Sequence, residues 1–203
     1  IYSKSTSIPG QEETYNKILG DIQFFNISPQ ILTLLSQHHA FNVTPTTFLN
    51  SIKEDYHKLL IQNLVIKNQT DMLLKEFERL QLIVIPLKGV YFSERYFGNS
   101  TARPTSDIDL LIKINELSSA IECIKEMGYI VEEKNDEDHF HRSFSKPIPG
   151  SSIPLTVEIH WNILKENTCE LSIDQFWDAS TPIQNYQYVK ELSDFHSFYF
   201  ILL

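Results

Sequence analysis

Cysteine, glycine and long apolar runs are scarce in this sequence. Its 203 residues include two cysteines and six glycines. Cys123 and Cys169 form no CxxC pair, so neither a zinc knuckle nor a disulfide framework is indicated. No apolar run reaches the roughly 20 residues that a membrane-spanning helix needs, and no stretch has the pattern of a signal peptide. We therefore expect a cytoplasmic protein without a membrane partner.

Basic residues are also in short supply. Lysine and arginine total 17 against 26 aspartates and glutamates, which gives a formal net charge of −9. Binding to long nucleic acids depends on neutralising phosphates with basic side chains, so long DNA or RNA is not an expected substrate. The 42% hydrophobic and 21% charged fractions are those of an ordinary globular protein with a buried core.

Helical patterns dominate the N-terminal part of the chain. A helix is predicted over residues 15–25, and a Ser-Pro pair at 28–29 has the pattern of an N-cap followed by the first helical position. A Thr-Pro pair at 44–45 repeats this signal, and neither proline nor glycine occurs again before Pro86. Apolar residues keep a helical spacing over that interval, which predicts one long helix or two nearly continuous ones.

An acidic pair lies in a segment that is predicted to be a strand. Because successive side chains of a strand point to opposite faces, Asp107 and Asp109 share one face while Ile108 and Leu110 share the other. Neighbouring carboxylates repel each other unless a cation lies between them, and Mg²⁺ takes such oxygen ligands. On its own, an Asp-x-Asp pair is more often a solvent-exposed strand end than a metal site.

A second strand supplies a third carboxylate. Residues 155–161 alternate strictly, with Val157 and Ile159 on an apolar face and Glu158 and His160 on a polar one. If this strand lies beside the first with the apolar faces aligned, Glu158 falls next to the two aspartates. Three carboxylates then converge on one side of a sheet.

The segment before the acidic strand has the features of a phosphate-binding turn. Residues 82–87 are apolar and rich in β-branched side chains, which predicts a buried strand, and Lys88 and Gly89 mark a turn into a helix. A helix N-terminus attracts anions, glycine lets a phosphate approach the backbone, and lysine adds a full charge. The alternative is a solvent-facing lysine before an ordinary turn.

One arginine precedes the acidic strand. Arg103 lies in the polar loop over residues 98–106. It could brace a carboxylate or bind a phosphate through two hydrogen bonds, and the pattern leaves both roles open.

Several histidines lie near the third carboxylate. A predicted hairpin brings His139 and His141 towards Glu158 and His160. These groups could hold zinc, or a histidine could contact substrate or move a proton. The hard carboxylate ligands argue against zinc.

Taken in order, these features form a joint motif: a strand, Lys-Gly, Arg-x-x-x-Asp-x-Asp-Leu-Leu, an amphipathic helix, Gly-Tyr and hydrophobic-Glu-hydrophobic-His-Trp. The motif residues are Leu87-Lys88-Gly89, Arg103, Asp107-Ile108-Asp109-Leu110-Leu111, Gly128-Tyr129 and Val157-Glu158-Ile159-His160-Trp161. From about residue 82 to 161 the chain resembles the bacterial uncharacterised nucleotidyltransferase family of the polymerase β-like superfamily.

The resemblance implies an α+β fold, in which a polymerase β-like nucleotidyltransferase sheet has helices on one face and is preceded by an N-terminal helical segment. We expect residues 1–80 to form that segment, residues 81–190 the catalytic core, and residues 191–203 the start of a C-terminal helical segment. Residues 198–203 are almost entirely apolar, so we expect a truncated piece of a longer protein.

The resemblance also implies a reaction. Asp107, Asp109 and Glu158 would be catalytic residues that hold two Mg²⁺ ions, and an NTP, expected to be ATP, would give its NMP to a hydroxyl of a small-molecule or protein acceptor. The sequence departs from the superfamily pattern by having Gly89-Val90 where Gly-Ser or Gly-Gly is usual, and by a longer gap before the aspartates. The residues expected to contact the nucleotide are Lys88, Gly89, Arg103, Ser106 and His160.

Two other functions remain compatible with these residues. A non-catalytic nucleotide-binding or protein-interaction module would keep the fold and use the acidic face only for regulation. A zinc-dependent phosphoesterase would be built on His139, His141 and His160.

Overall fold

The computed structural model describes residues 12–132, 140–148, 153–163 and 172–202. Two 3-10 turns, at Phe41–Val43 and Ile114–Glu116, accompany the regular elements. His139 and Cys169 lie outside the described residues. In chain order the elements are α1 (Glu12–Phe25), α2 (Ser28–Gln37), α3 (Thr46–Arg79), β1 (Val84–Pro86), α4 (Val90–Phe97), β2 (Asp107–Ile112), α5 (Leu117–Glu126), β3 (Ile130–Val131), β4 (His141–Lys146), β5 (Leu155–His160), α6 (Ile173–Asp178), β6 (Thr181–Pro182), β7 (Lys190–Glu191) and α7 (Asp194–Leu202).

The long apolar stripe of the N-terminal part forms a single helix. Helix α3 runs for 34 residues without interruption. The two predicted hydroxyl caps are wrong in detail. Ile27 occupies the cap position of α2 and packs against the small core between α1 and α3, so Ser28 becomes the first helical residue. The Thr44 hydroxyl donates back to the Ala40 carbonyl instead of capping α3, at 2.8 Å.

A mixed five-stranded sheet forms the centre of the molecule. Its strand order is β1-β2-β5-β4-β3. Strands β2 and β5 run parallel, and the other neighbouring pairs run antiparallel. Long helices precede the sheet in the chain, as the sequence predicted, and the fold is α+β.

The main core lies on the face of the sheet that points away from the aspartates. The apolar side chains of β2, β4 and β5 pack there against α3 and α5, because strand alternation sends them all to one side. Cys123 of α5 is a free thiol buried in this core. The fully buried side chains that meet there include Leu73, Leu74, Phe77, Leu110, Ile112, Ile124, Phe144, Val157 and Ile159.

A smaller apolar cluster covers part of the opposite face. Leu111 packs there with Phe176 and Trp177 of α6. Since Leu111 follows Asp109 at the strand repeat, this face changes from acidic to apolar along β2. Among the described residues, no helix is long and apolar enough to cross a membrane.

The C-terminal end of α3 holds the segment that leads into β7. The carboxylate of Glu78 accepts hydrogen bonds from the backbone N–H groups of Gln187, Tyr188 and Val189 at 2.7, 2.7 and 3.1 Å. Burial alone would raise the pKa of Glu78, but these three donors outweigh it, and the net pKa is lowered from 4.5.

We expect Glu78→Ala to lower the free energy of unfolding by about 2 kcal/mol, because three backbone donors lose a charged acceptor. A carboxyl with a depressed folded-state pKa stabilises the fold above its unfolded pKa, so the deficit should shrink as the pH falls below 4.5. Urea unfolding at pH 7 and pH 3 measures both effects. Glu76→Ala, which removes an exposed partner of Arg79, is the matched control and should cost about 0.5 kcal/mol or less.

Candidate functional site

Two carboxylates meet at the centre of the sheet. Asp109 of β2 and Glu158 of β5 are direct partners in the parallel register. Residues in register on neighbouring strands point to the same face, so the two side chains lie side by side. Asp109 is 2% exposed, whereas the Glu158 side chain is partly open to solvent. The juxtaposition expected from alternation is therefore present.

His160 contacts both of these carboxylates. Its Nε2 lies 3.1 Å from Oδ1 of Asp109 and 3.5 Å from Oε2 of Glu158. The strand repeat places His160 on the same face as Glu158, and its side chain is largely buried. The imidazole therefore bridges two acidic groups that would otherwise repel each other.

These contacts lower the pKa of Glu158 and raise the pKa of His160. The hydrogen bond from His160 holds the pKa of Glu158 down to about 2. Burial would lower the pKa of His160, but the hydrogen bonds and charges of Asp109 and Glu158 outweigh it, and the net pKa is raised. Each partner thus favours the charged form of the other.

Lys88 follows β1 and approaches the carboxylates of Asp107 and Asp109. The antiparallel pairing of β1 with β2 extends to a bond from the Leu87 N–H to the Asp109 carbonyl, at 3.0 Å. This pairing brings the next residue beside the site. The Lys88 Nζ lies 3.2 Å from Oδ2 of Asp109 and 4.0 Å from Oδ2 of Asp107. The structure thus places Lys88 among the carboxylates and not in open solvent.

Asp107 lies at the more open end of the acidic strand. Ser106 donates a hydrogen bond from its hydroxyl to Oδ1 of Asp107, at 3.1 Å. Burial raises the pKa of Asp107, and the charge of Asp109 raises it further. Lys88 only partly offsets these effects. Holding Asp107 as an anion is therefore costly in the absence of a further cation.

The turn after Lys88 requires glycine. Gly89 is the N-cap of α4 and has φ 80° and ψ −141°, a region that other residues rarely adopt. A Cβ atom at this position would lie 3.2 Å from Cγ2 of Thr105. Both the backbone conformation and the close approach of Thr105 therefore disfavour a larger residue at position 89.

We expect Gly89→Ala to lower the free energy of unfolding by about 1–3 kcal/mol, because the new side chain is strained in this conformation and crowds Thr105. Gly20→Ala is the control, since Gly20 lies within α1 with open space around it. It should instead stabilise the protein by about 0.5–1 kcal/mol. Urea unfolding of both variants checks the contrast, and equal effects of the two substitutions would contradict it.

Arg103 stands apart from the acidic cluster. Within the described segments it forms no ion pair with Asp107, Asp109 or Glu158, and its guanidinium lies over the ring of Phe92, 6.0 Å from the centroid. This placement disfavours the role of a carboxylate brace and leaves the guanidinium able to meet an anion.

Three side chains of the site could hold a metal ion together. Ligand atoms of Asp109, Glu158 and His160 all lie within 4.8 Å of one another. Asp107 is not in this group, although Lys88 contacts it. The ring of His141 lies 5.2 Å from that of His160, because the two residues are partners across β4 and β5. Among described residues the cluster thus contains one histidine with two carboxylates, which does not favour a histidine-rich zinc site.

Ser143 is a site residue that the sequence reasoning did not identify. Its buried hydroxyl lies 3.4 Å from Oε1 of Glu158, its direct partner across β4 and β5. Ser143 follows His141 at the strand repeat, so strand alternation in the sequence places both on one face and could have identified it.

The comparison with protein families adds one finding. The family model described as "Uncharacterised nucleotidyltransferase" matches residues 17–203, which is most of the chain. No curated protein and no solved structure matches the sequence.

Proposed function

Since the chain belongs to the uncharacterised nucleotidyltransferase family, we propose that it transfers the NMP group of an NTP to a hydroxyl of a small-molecule or protein acceptor and releases pyrophosphate. The observation that carries the proposal is the register of β2 and β5, which places Asp109 beside Glu158 with Asp107 one strand repeat away. This acidic face adjoins the Lys88-Gly89 turn, so anionic and cationic groups suited to a metal-bound phosphate lie together.

The side chains fit a divalent metal ion. Oδ2 of Asp109 is buried and has no hydrogen-bond partner in the described part of the chain, and the Lys88 ammonium lies 3.2 Å from it. Carboxylate oxygens are the ligands that Mg²⁺ prefers. We propose that Asp107, Asp109 and Glu158 hold Mg²⁺, with two ions when the NTP is bound. The bound metal would supply charge neutralisation at the phosphates and acidify the attacking hydroxyl.

The residues around the turn would bind the phosphates. The first N–H groups of α4 have no partner within the helix and carry its positive end, and Gly89 is the N-cap from which they start. The Lys88 ammonium would move from Asp109 towards a phosphate oxygen, and Arg103 would supply a bidentate donor. These groups act on charge that develops as the bond to the leaving pyrophosphate breaks.

Ser106 and His160 would orient the carboxylates. The Ser106 hydroxyl fixes one oxygen of Asp107. His160 donates between Asp109 and Glu158, so we propose that it keeps the two carboxylates aligned and lies close to the nucleotide. The expected nucleotide is ATP, and the net charge of −9 favours a small molecule or a protein over a long nucleic acid as the acceptor.

The experiment uses labelled nucleotides. Each NTP is supplied with either an α-³²P or a γ-³²P label, together with Mg²⁺ and candidate hydroxyl acceptors. Transfer of NMP predicts that only the α label enters the acceptor while the γ label leaves as pyrophosphate, and that EDTA stops both. Transfer of the γ label would contradict the proposal. NTP binding that calorimetry finds indifferent to Mg²⁺ would favour a non-catalytic binding module.

A further inference from the structure

The loop between α4 and β2 connects the main parts of the candidate site. We call residues 98–106 the α4–β2 loop. It carries Arg103, it ends at Ser106 beside Asp107, and Thr105 within it packs against Gly89. The position of this loop therefore affects both the proposed phosphate-binding residues and the first carboxylate.

A buried asparagine of α3 holds the main chain of this loop. Asn63 is 1% exposed. Its Nδ2 donates to the carbonyls of Ser100, at 3.0 Å, and Arg103, at 2.7 Å. Its Oδ1 accepts the backbone N–H of Thr105, at 3.1 Å. One side chain thus fixes three points of the loop, and three of the four hydrogen bonds that an amide can make are used.

Neighbouring amides add to this contact. Gln62 donates to the Thr105 carbonyl at 2.7 Å, so the Thr105 peptide groups are held on both sides by consecutive residues of α3. Gln30 of α2 donates to the Ala102 carbonyl at 2.9 Å. Helices α2 and α3 therefore both bind the loop through side-chain amides.

The spacing of α3 shows that Asn63 occupies a core position. It precedes Ile66, Thr70 and Leu73 on the buried stripe of the helix, at intervals of three and four residues. An amide at such a position costs stability unless it is hydrogen-bonded, and here the loop backbone satisfies it. A purely structural core would favour an apolar residue instead.

We propose that Asn63, assisted by Gln62, is a positioning residue for the nucleotide site. It acts by fixing the backbone of the α4–β2 loop. The position of this backbone determines the positions of Arg103 and Asp107, and also how closely Thr105 approaches Gly89. Helices α2 and α3 then preorganise phosphate binding, and α3 also covers one face of the sheet. This inference rests on the proposed function, because it assigns Asn63 to the same site.

The test measures phosphate binding apart from stability. Inorganic tripolyphosphate with Mg²⁺ is the probe, since it needs no knowledge of the base or the acceptor. We expect Asn63→Ala to raise its Kd in calorimetry by about tenfold or more, because misplacement of site residues by about 1 Å has large effects. Gln62→Ala, at an exposed helix position, should raise the Kd by about threefold and keeps the test possible if Asn63→Ala does not fold.

The control is a buried polar residue two turns further along the same helix face. The Thr70 hydroxyl donates within α3, to the Ile66 carbonyl, so its hydrogen bond is spent inside the helix and not on the loop. Thr70→Ala should lower the free energy of unfolding but leave the Kd within about twofold of the wild-type value. If Thr70→Ala weakens tripolyphosphate binding as much as Asn63→Ala does, the effect is one of stability and the proposal is wrong.

A double-mutant cycle tests the route of the effect. If Asn63 acts through the loop, Asn63→Ala should weaken tripolyphosphate binding less when Arg103 is already alanine, and additive effects would contradict that route. Wild-type protein that binds no tripolyphosphate would contradict the proposed function itself. If the wild-type protein binds tripolyphosphate tightly, and the Asn63→Ala and Gln62→Ala proteins fold and bind it equally well, only the positioning role is overturned.

Discussion

Asp107→Asn is expected to abolish nucleotidyl transfer while leaving the protein at least as stable as the wild type. The substitution keeps the shape of the side chain but removes a metal-ligating charge, so we expect kcat/KM to fall on the order of 10³-fold. The folded protein, however, holds Asp107 as an unfavourable anion. Burial and the neighbouring Asp109 both raise its pKa. Removing that charge relieves a cost instead of adding one.

The same reasoning predicts how the stability difference depends on pH. A carboxyl whose folded-state pKa is raised destabilises the fold above its unfolded pKa, and this penalty disappears as the pH falls through the raised value. Without added metal, the stability advantage of Asp107→Asn should therefore be largest near neutral pH and should shrink in acid. Thermal unfolding across this pH range measures the stability difference. Release of labelled pyrophosphate from the γ-³²P NTP measures the loss of activity.

The control for this variant is a carboxylate outside the site. Asp55 of α3 accepts a hydrogen bond from Gln23 and lies far along the chain from the acidic face. Asp55→Asn should retain full activity. An Asp107→Asn protein that keeps wild-type turnover, or that loses activity only because it unfolds, would contradict the assigned role.

Lys88→Met is expected to change metal binding and nucleotide binding in opposite directions. The Lys88 ammonium lies 3.2 Å from Oδ2 of Asp109, so it would compete with a metal ion for that carboxylate. Its removal should tighten the binding of Mn²⁺ alone. It should also lower kcat/KM for the NTP by about 100-fold, because a full charge on the phosphates is lost.

Mn²⁺ titration by electron paramagnetic resonance and steady-state kinetics measure the two effects separately. Lys88→Arg is the matched variant, since it keeps the positive charge with a different shape. Its Mn²⁺ affinity and its kcat/KM for the NTP should lie between those of Lys88→Met and the wild type. If Lys88 only supports the fold, Lys88→Met should weaken Mn²⁺ and NTP binding together, which would contradict its proposed function.

The sequence was sufficient to predict the acidic cluster because strand alternation is a strong local pattern. Asp109 and Glu158 each follow the period of two in an apolar strand, and only a parallel or antiparallel pairing of those strands was needed to bring them together. The long helix α3 followed from a stripe of apolar residues without proline or glycine. These features depend on the residues of one element at a time.

The contacts that depend on the main chain of a distant segment were not predictable in this way. Glu78 binds three backbone donors that are more than 100 residues away. Asn63 binds a loop whose path has no periodic signature. Ser28 does not cap its helix because an apolar neighbour takes that position. Tertiary packing determines the contacts of Glu78 and Asn63 and the cap residue of α2, and such packing cannot be predicted from local sequence patterns.

The most direct test of the account is a crystal structure of the protein with Mn²⁺ and a non-hydrolysable ATP analogue, in which anomalous scattering locates the metal. The account predicts Mn²⁺ at about 2.1 Å from carboxylate oxygens of Asp107, Asp109 and Glu158, with the triphosphate against the Gly89 turn. A bound nucleotide with no metal ion at these three carboxylates would contradict it.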